Sequence, residues 1–138
     1  MERTQFDNEL EEFTTSYIAT MLTILEGRVG GCYYSDDIAE PTLAAIKADC
    51  EAFYKANREL ILSEAPEETE RVMEAGYDFW LTRAGHGAGF WDGSWPKNGD
   101  RLDKAVKAGY AYTRCEPYVG DDGKVWILGT ETWECPSI

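Results

Sequence analysis

The sequence predicts an α+β fold in which N-terminal helices pack on a small, mostly antiparallel β-sheet. Two observations carry this. In the first half, large apolar residues recur at steps of three and four, the spacing of one face of a helix. In the second half, aromatic and polar residues alternate and are broken by glycine-rich turns, the pattern of half-buried strands. The 138 residues are expected to form a single domain, 1–138, with an acidic helical half (1–75) and a second half (76–138) arranged as hairpin, helix and hairpin.

The first helix is expected over residues 3–26. Phe6, Leu10, Phe13, Tyr17, Met21 and Leu25 make its apolar stripe, and Gly27 followed by Gly30-Gly31 ends it. Glu2, Asp7, Glu9, Glu11 and Glu12 crowd its first turns, where carboxylates complement the helix dipole. Residues 32–38 read as a loop with one short turn. Pro41 suits the first position of a second helix, whose stripe Leu43, Ile46, Cys50, Phe53 and Leu60 runs to about Leu62. Ser63 and Pro66 open a third, shorter helix through Ala75, with Gly76 as its stop.

Residues 77–92 read as a two-stranded hairpin turning at Gly85-His86-Gly87, because Tyr77, Phe79, Leu81 and Arg83 alternate with Asp78, Trp80 and Thr82. Phe79 or Leu81, and at least one of Trp80 and Trp91, are expected in the core. Asp100 can cap a fourth helix that carries Leu102, Ala105 and Val106 and ends at Gly109. A strand follows over 110–119, with Pro117 marking an edge or bulge, then a Gly120–Gly123 turn and a strong strand over 124–128. Asp121 and Asp122 read as turn residues before they read as cation ligands. The last ten residues carry no clear pattern.

Charge is the most informative part of the composition. The chain has 26 acidic and 13 basic residues, a formal net charge of −13, and residues 1–75 alone hold 17 acids against 6 bases. Such a field repels nucleic acid and membrane phosphates and attracts basic surfaces, although solubility alone also selects for it. The acids nominated for a basic partner are Glu9, Glu11, Glu12, Asp36, Asp37, Glu64, Glu67, Glu68, Glu70 and Glu74. If helical, a window such as 64–74 carries one net charge per about 4 Å, sparser than the one per about 1.7 Å of duplex DNA. Two or three acidic helices side by side would be needed to approach DNA.

Catalytic chemistry has weaker support. Asp78, Arg83, His86 (the only histidine) and Asp92 all lie on or beside the expected hairpin and could form a ligand or recognition site there. No phosphate-binding loop, HExxH or GxSxG occurs, and no catalytic residue, metal ligand or cofactor is assigned. Cys50 falls on a buried helix stripe and reads as a core residue before a nucleophile. Trp80, Trp91 and Trp95 could stack bases, but the scattered cations supply no basic groove, so direct nucleic-acid binding is not expected. No apolar run approaches the roughly 20 residues that span a membrane, and the acidic N-terminus lacks the apolar core of a signal peptide.

The stretch Asp78-Phe-Trp-Leu-Thr-Arg-Ala-Gly-His-Gly-Ala-Gly-Phe-Trp-Asp92, with Gly99-Asp-Arg-Leu102 and Tyr118-Val-Gly-Asp-Asp-Gly123, resembles a family of small uncharacterised proteins encoded by bacteriophages and prophages. Tyr34–Leu43 and Ala48–Phe53 are similar to that family's helical half. The resemblance covers about residues 13–127, departs around Gly93–Asn98 and does not extend into the tail after Trp126. It implies an accessory protein of phage origin acting in the cytoplasm of a bacterial host. By analogy with restriction and CRISPR inhibitors, the leading expectation is a non-enzymatic inhibitor of a host defence or DNA-processing protein. The alternatives are a small enzyme or ligand-binding protein using the segment around His86, and a structural or DNA-metabolism factor of the phage. No oligomeric state is assigned.

Cys32, Cys50, Cys115 and Cys135 never fall in Cys-x-x-Cys spacing and are expected to be free thiols in a reducing compartment. Thiol labelling under denaturing, non-reducing conditions should therefore count four reactive groups per chain. Fewer would refute the reading.

Overall fold

The computed structural model describes residues 3–64, 70–111 and 114–132. Among these residues, four α-helices and a two-stranded antiparallel sheet are observed, in the order α1 (Gln5–Val29), α2 (Glu40–Glu64), α3 (Glu70–Ala84), α4 (Gly99–Gly109), β1 (Pro117–Val119) and β2 (Val125–Ile127). The α+β class expected from the sequence is the class observed.

Thr4 starts α1 with a reciprocal cap: its Oγ1 accepts from Asp7 N at 3.0 Å, and Asp7 Oδ2 accepts from Thr4 N at 3.1 Å. The helix passes through Gly27 and ends at Val29. The reversal is made by Gly30 and Gly31, whose φ angles of 78° and 81° a side chain would strain. A single 3-10 turn, Ser35–Asp37, fills the loop before α2. Phe13 and Tyr17 of α1, Ile46, Cys50 and Phe53 of α2, and Phe79 of α3 meet in the core. Phe53 and Phe79 stack at 4.1 Å between centroids, and Tyr110 closes edge-on to both at 5.6 and 5.4 Å.

Residues 77–84, expected as the first strand of a hairpin, are the second half of α3, and residues 85–98 are an irregular strap rather than a partner strand. The physical reason is burial on every side. Asp78, Phe79, Trp80, Leu81, Thr82 and Arg83 are six consecutive buried residues, so no polar face marks the 3.6-residue period. The expected reversal at Gly85-His86-Gly87 is a helix stop. Gly85, at φ 78°, donates to Thr82 O at 3.3 Å, and His86 N donates to Leu81 O at 3.0 Å, the paired bonds of a Schellman cap. The His86 ring lies 4.9 Å from Trp80, supplying the apolar contact that usually accompanies that cap. Phe79, Trp80 and Leu81 are buried as expected, while Trp91 is half exposed.

Gly76, expected as a helix stop, lies inside α3 where α1 crosses it. A Cβ there would run into the carbonyl oxygen of Phe13 and reach Ser16 Cβ at 3.0 Å, so the missing side chain sets the closeness of the two helices. The expected third helix ending at Ala75 thus extends to Ala84; Ser63, expected to open it, lies instead in the last turn of α2, and Pro66 lies outside the described residues.

The fourth helix agrees with expectation at its end, Gly109, but Asp100 lies in its first turn rather than capping it. Asn98 precedes the helix and turns its amide to Leu60 O and Ser63 Oγ instead. Of the strand expected over 110–119, of which 112 and 113 lie outside the described residues, Pro117–Val119 is observed as strand. Upstream, Tyr110 still donates its N–H back to α4, and Arg114 takes a φ of 47°. The two strands pair Tyr118 opposite Trp126, and the sheet is tied to the start of α2 by Ala39 N, just before the helix, donating to Val125 O at 2.9 Å and by Ile127 N donating to Thr42 Oγ1 at 3.3 Å.

Two glycine substitutions should behave oppositely in denaturant unfolding. Gly76→Ala must push α1 from α3 and should cost about 1–3 kcal/mol. Gly27→Ala, in a helix interior with open space around it, should stabilise by about 0.5–1 kcal/mol. Equal effects at the two sites would refute the close crossing.

Candidate functional site

Of the residues nominated around the expected hairpin, Arg83 and Asp78 are buried, His86 is partly buried and Asp92 is exposed. Arg83 is fully buried: its Nε donates to Tyr110 O at 3.0 Å, Nη1 to Tyr17 OH at 3.0 Å and Nη2 to Asp49 Oδ2 at 2.7 Å. Asp49 also receives Arg114 Nη2 on Oδ1 at 2.6 Å. Asp49 was not singled out from the sequence, although its register was available: it lies three residues after Ile46 and four before Phe53, on the margin of the apolar stripe of α2.

Asp78 is buried and accepts the Trp95 indole N–H at 2.7 Å. Burial pushes its carboxyl up to about 6, and the negative charges of Asp92 and Glu74 add to the shift against the Trp95 hydrogen bond and Arg71. Asp92 accepts from Ser94 N at 3.0 Å and Gly89 N at 3.3 Å, and the Ser94 contact holds its carboxyl below the usual range. Arg71 covers the Trp95 ring at 4.6 Å and donates to Ser94 O at 2.9 Å. The 85–98 strap is thereby pinned to α3, with Asp78 and Asp92 near enough for the charge of one to raise the carboxyl of the other.

The thiols offer no activated nucleophile in the core. Burial raises the Cys50 thiol and pushes Cys115 up to about 11, which disfavours the thiolate. Cys32, Cys50 and Cys115 are free, and Cys135 lies outside the described residues. Among the described residues no group of three or more His, Cys, Asp or Glu side chains is placed to hold a metal ion.

The acids nominated for a partner divide by location. Glu9 is buried against Arg58 at 2.6 Å and the Tyr54 hydroxyl at 2.7 Å, and the Arg58 contact lowers its carboxyl. Glu64 is buried and accepts Lys97 N at 2.9 Å, joining the end of α2 to the strap. Glu74 pairs with Arg71 at 3.1 Å, and Asp37 accepts Tyr34 N at 2.8 Å within the 3-10 turn. Glu67 and Glu68 lie outside the described residues, and Glu70 is the first residue of α3. Glu11, Glu12 and Asp36 are exposed.

Glu11 and Asp36 share an open cleft of about 690 Å³ between α1, the 3-10 turn and α2. Leu10, Ile18 and Leu43 contribute apolar lining. Asp7 and Glu11 of α1, Asp36 of the turn and Glu51 of α2 supply four carboxylates against the cations of Arg3 and Lys47, with Arg3 ion-paired to Glu11. Glu51, which the sequence reading passed over, enters through the fold alone. No helix among the described residues is long and apolar enough to cross a membrane.

The raised Asp78 carboxyl makes stability depend on pH in an unusual direction. The folded state holds the proton more tightly than the unfolded chain, whose ordinary value is 3.8, so this contribution is complete below about pH 4 and is lost as pH rises through about 6. Asp78→Asn keeps an acceptor for Trp95 and removes the titration. Its stability relative to wild type should rise between pH 4 and 7.5 by up to about 3 kcal/mol in urea titrations. A constant difference across that range would show that burial does not perturb Asp78.

No protein-family model matches this chain, and neither a curated protein nor a solved structure does.

Proposed function

We propose that the protein is a small acidic accessory protein of phage origin, a non-enzymatic inhibitor of the anti-restriction or anti-CRISPR type. In this reading it works in the cytoplasm of the bacterial host and covers the basic, nucleic-acid-binding surface of a defence or DNA-processing protein. The observation that carries the reading is the cleft in which Asp7, Glu11, Asp36 and Glu51 come together from three successive segments. One acidic helix is too sparse to compete with DNA, whereas two helices and a turn facing one opening raise the local density of carboxylates. Their field steers a basic partner towards the cleft and is screened within about 10 Å at 0.1 M salt. The packing roles of Asp78, Arg83 and His86 support this reading over an enzyme built around them.

A host-lysate pull-down should capture a nucleic-acid-binding protein at low salt and release it at high salt. The triple reversal Glu11→Lys, Asp36→Lys, Glu51→Lys changes exposed positions only and should leave the thermal midpoint within a few degrees while reducing capture at least tenfold. Undiminished capture by the reversed protein at low salt would show that these acids serve solubility.

A further inference from the structure

A second open groove, of about 700 Å³, lies between α1 and the first half of α3 and shares Glu11 and Thr15 of α1 with the cleft. Its α1 wall includes the small side chains of Ser16, Ala19 and Thr20, and α3 contributes Met73. Met73 is 52% exposed, and Tyr77, one helical turn further along α3, is 48% exposed. Scattered exposed apolar residues need no explanation, but Met73 in the groove wall and Tyr77 one turn beyond it make a paired apolar surface on α3. The charged residues that line the groove are Glu12 and Glu11, the latter ion-paired to Arg3, which lies outside the lining.

This charge selects the occupant. A second copy of a chain with net charge −13 would set acid against acid, and anionic lipid or nucleic acid would be repelled in the same way. A helix that is apolar on one face and basic on its flank matches both features: its apolar face covers Met73 and Tyr77 over the small residues of α1, and its cations reach Glu11 and Glu12. We infer that the groove between α1 and α3 is the docking site for a basic amphipathic helix of the partner. The inference rests on the proposed function and narrows it, from any basic surface to a partner that offers such a helix.

The test uses two synthetic 18-residue peptides of the same Lys/Leu composition, one patterned as an amphipathic helix and one shuffled so that no apolar face forms. Titrated by fluorescence anisotropy in 0.15 M salt, the patterned peptide should bind at least tenfold more tightly. Met73→Lys, and separately Ala19→Trp, should abolish that preference with the thermal midpoint retained, since both positions are exposed. Equal affinity for the two peptides, or a preference that survives both substitutions, overturns the groove. So does self-association in sedimentation that Met73→Lys abolishes, because a second copy would then be the occupant. The double reversal Asp36→Lys, Glu51→Lys in the cleft, which leaves Glu11 in place, separates the two levels. If it weakens both peptides alike while no preference exists, the acidic reading stands and the groove falls; if neither peptide binds the wild-type protein, both fall.

Discussion

The buried guanidinium of Arg83 is the constraint on which the arrangement of helices depends. A fully desolvated charge is tolerated only when its donors are met, and those partners come from three other parts of the chain: Tyr17 on α1, Asp49 on α2 and the Tyr110 carbonyl beyond α4. Each contact fixes a register as well as a distance. Sliding α3 by one residue would turn Arg83 away from Asp49 and leave a charge in the aromatic core. Arg114 completes the set from the segment before β1, so one carboxylate on α2 gathers two cations that are distant in sequence. The Phe13, Phe53 and Phe79 rings supply non-directional burial energy, and the ionic cluster selects which packing of those rings is used.

The interior network also shapes the surface. Glu9 and Asp49 are matched inside by Arg58, Arg83 and Arg114, three of the 13 basic residues in the chain. Cations committed to inward carboxylates are not available to dilute the outer field. Asp78 and Glu64 are likewise turned inward, where they secure the strap through Trp95 and Lys97. The acids that remain on the exposed sides of α1 and α2 include Asp7, Glu11, Glu12 and Glu51, and in the cleft they outnumber the cations Arg3 and Lys47. An excess of acid in the sequence becomes a directed field only through this sorting.

How much was legible in the sequence follows from the same division. The helices α1 and α2 are buried along one stripe, so Phe13, Tyr17, Ile46 and Phe53 announced them. The second half of α3 is buried without a break from Asp78 to Arg83 and is rich in aromatic residues, which removed the helical period and favoured a strand reading. Gly85-His86 was ambiguous at its root, because glycine at positive φ serves a hairpin turn and a helix stop equally well. Gly76 showed the same double meaning: a glycine that could end a helix instead lets another helix pass. Among the site residues, Glu11 and Asp36 were visible as charge, whereas Glu51 opposite them depends on how α2 lies against α1. The contact of Asp78 with Trp95 spans 17 residues of chain and a loop, a distance over which periodicity carries no information.

The most distinctive stretch of the chain, residues 78–92, is accounted for almost entirely by packing. Phe79 and Phe90 fill the core, and Trp80 donates its indole N–H to Cys115 O at 3.0 Å. Thr82 Oγ1 accepts Phe90 N at 3.0 Å, and Gly89 lies so close to that threonine that a Cβ would collide with it. Arg83 carries the ionic cluster, Gly85 and His86 end the helix, and Asp92 closes the following turn. Of the aromatic side chains in this stretch only Trp91 is left half exposed. A motif whose side chains are committed to one another has little left with which to meet a substrate. In the proposed function, recognition falls instead to the outer faces of α1, α2 and the first half of α3, which the motif supports from beneath.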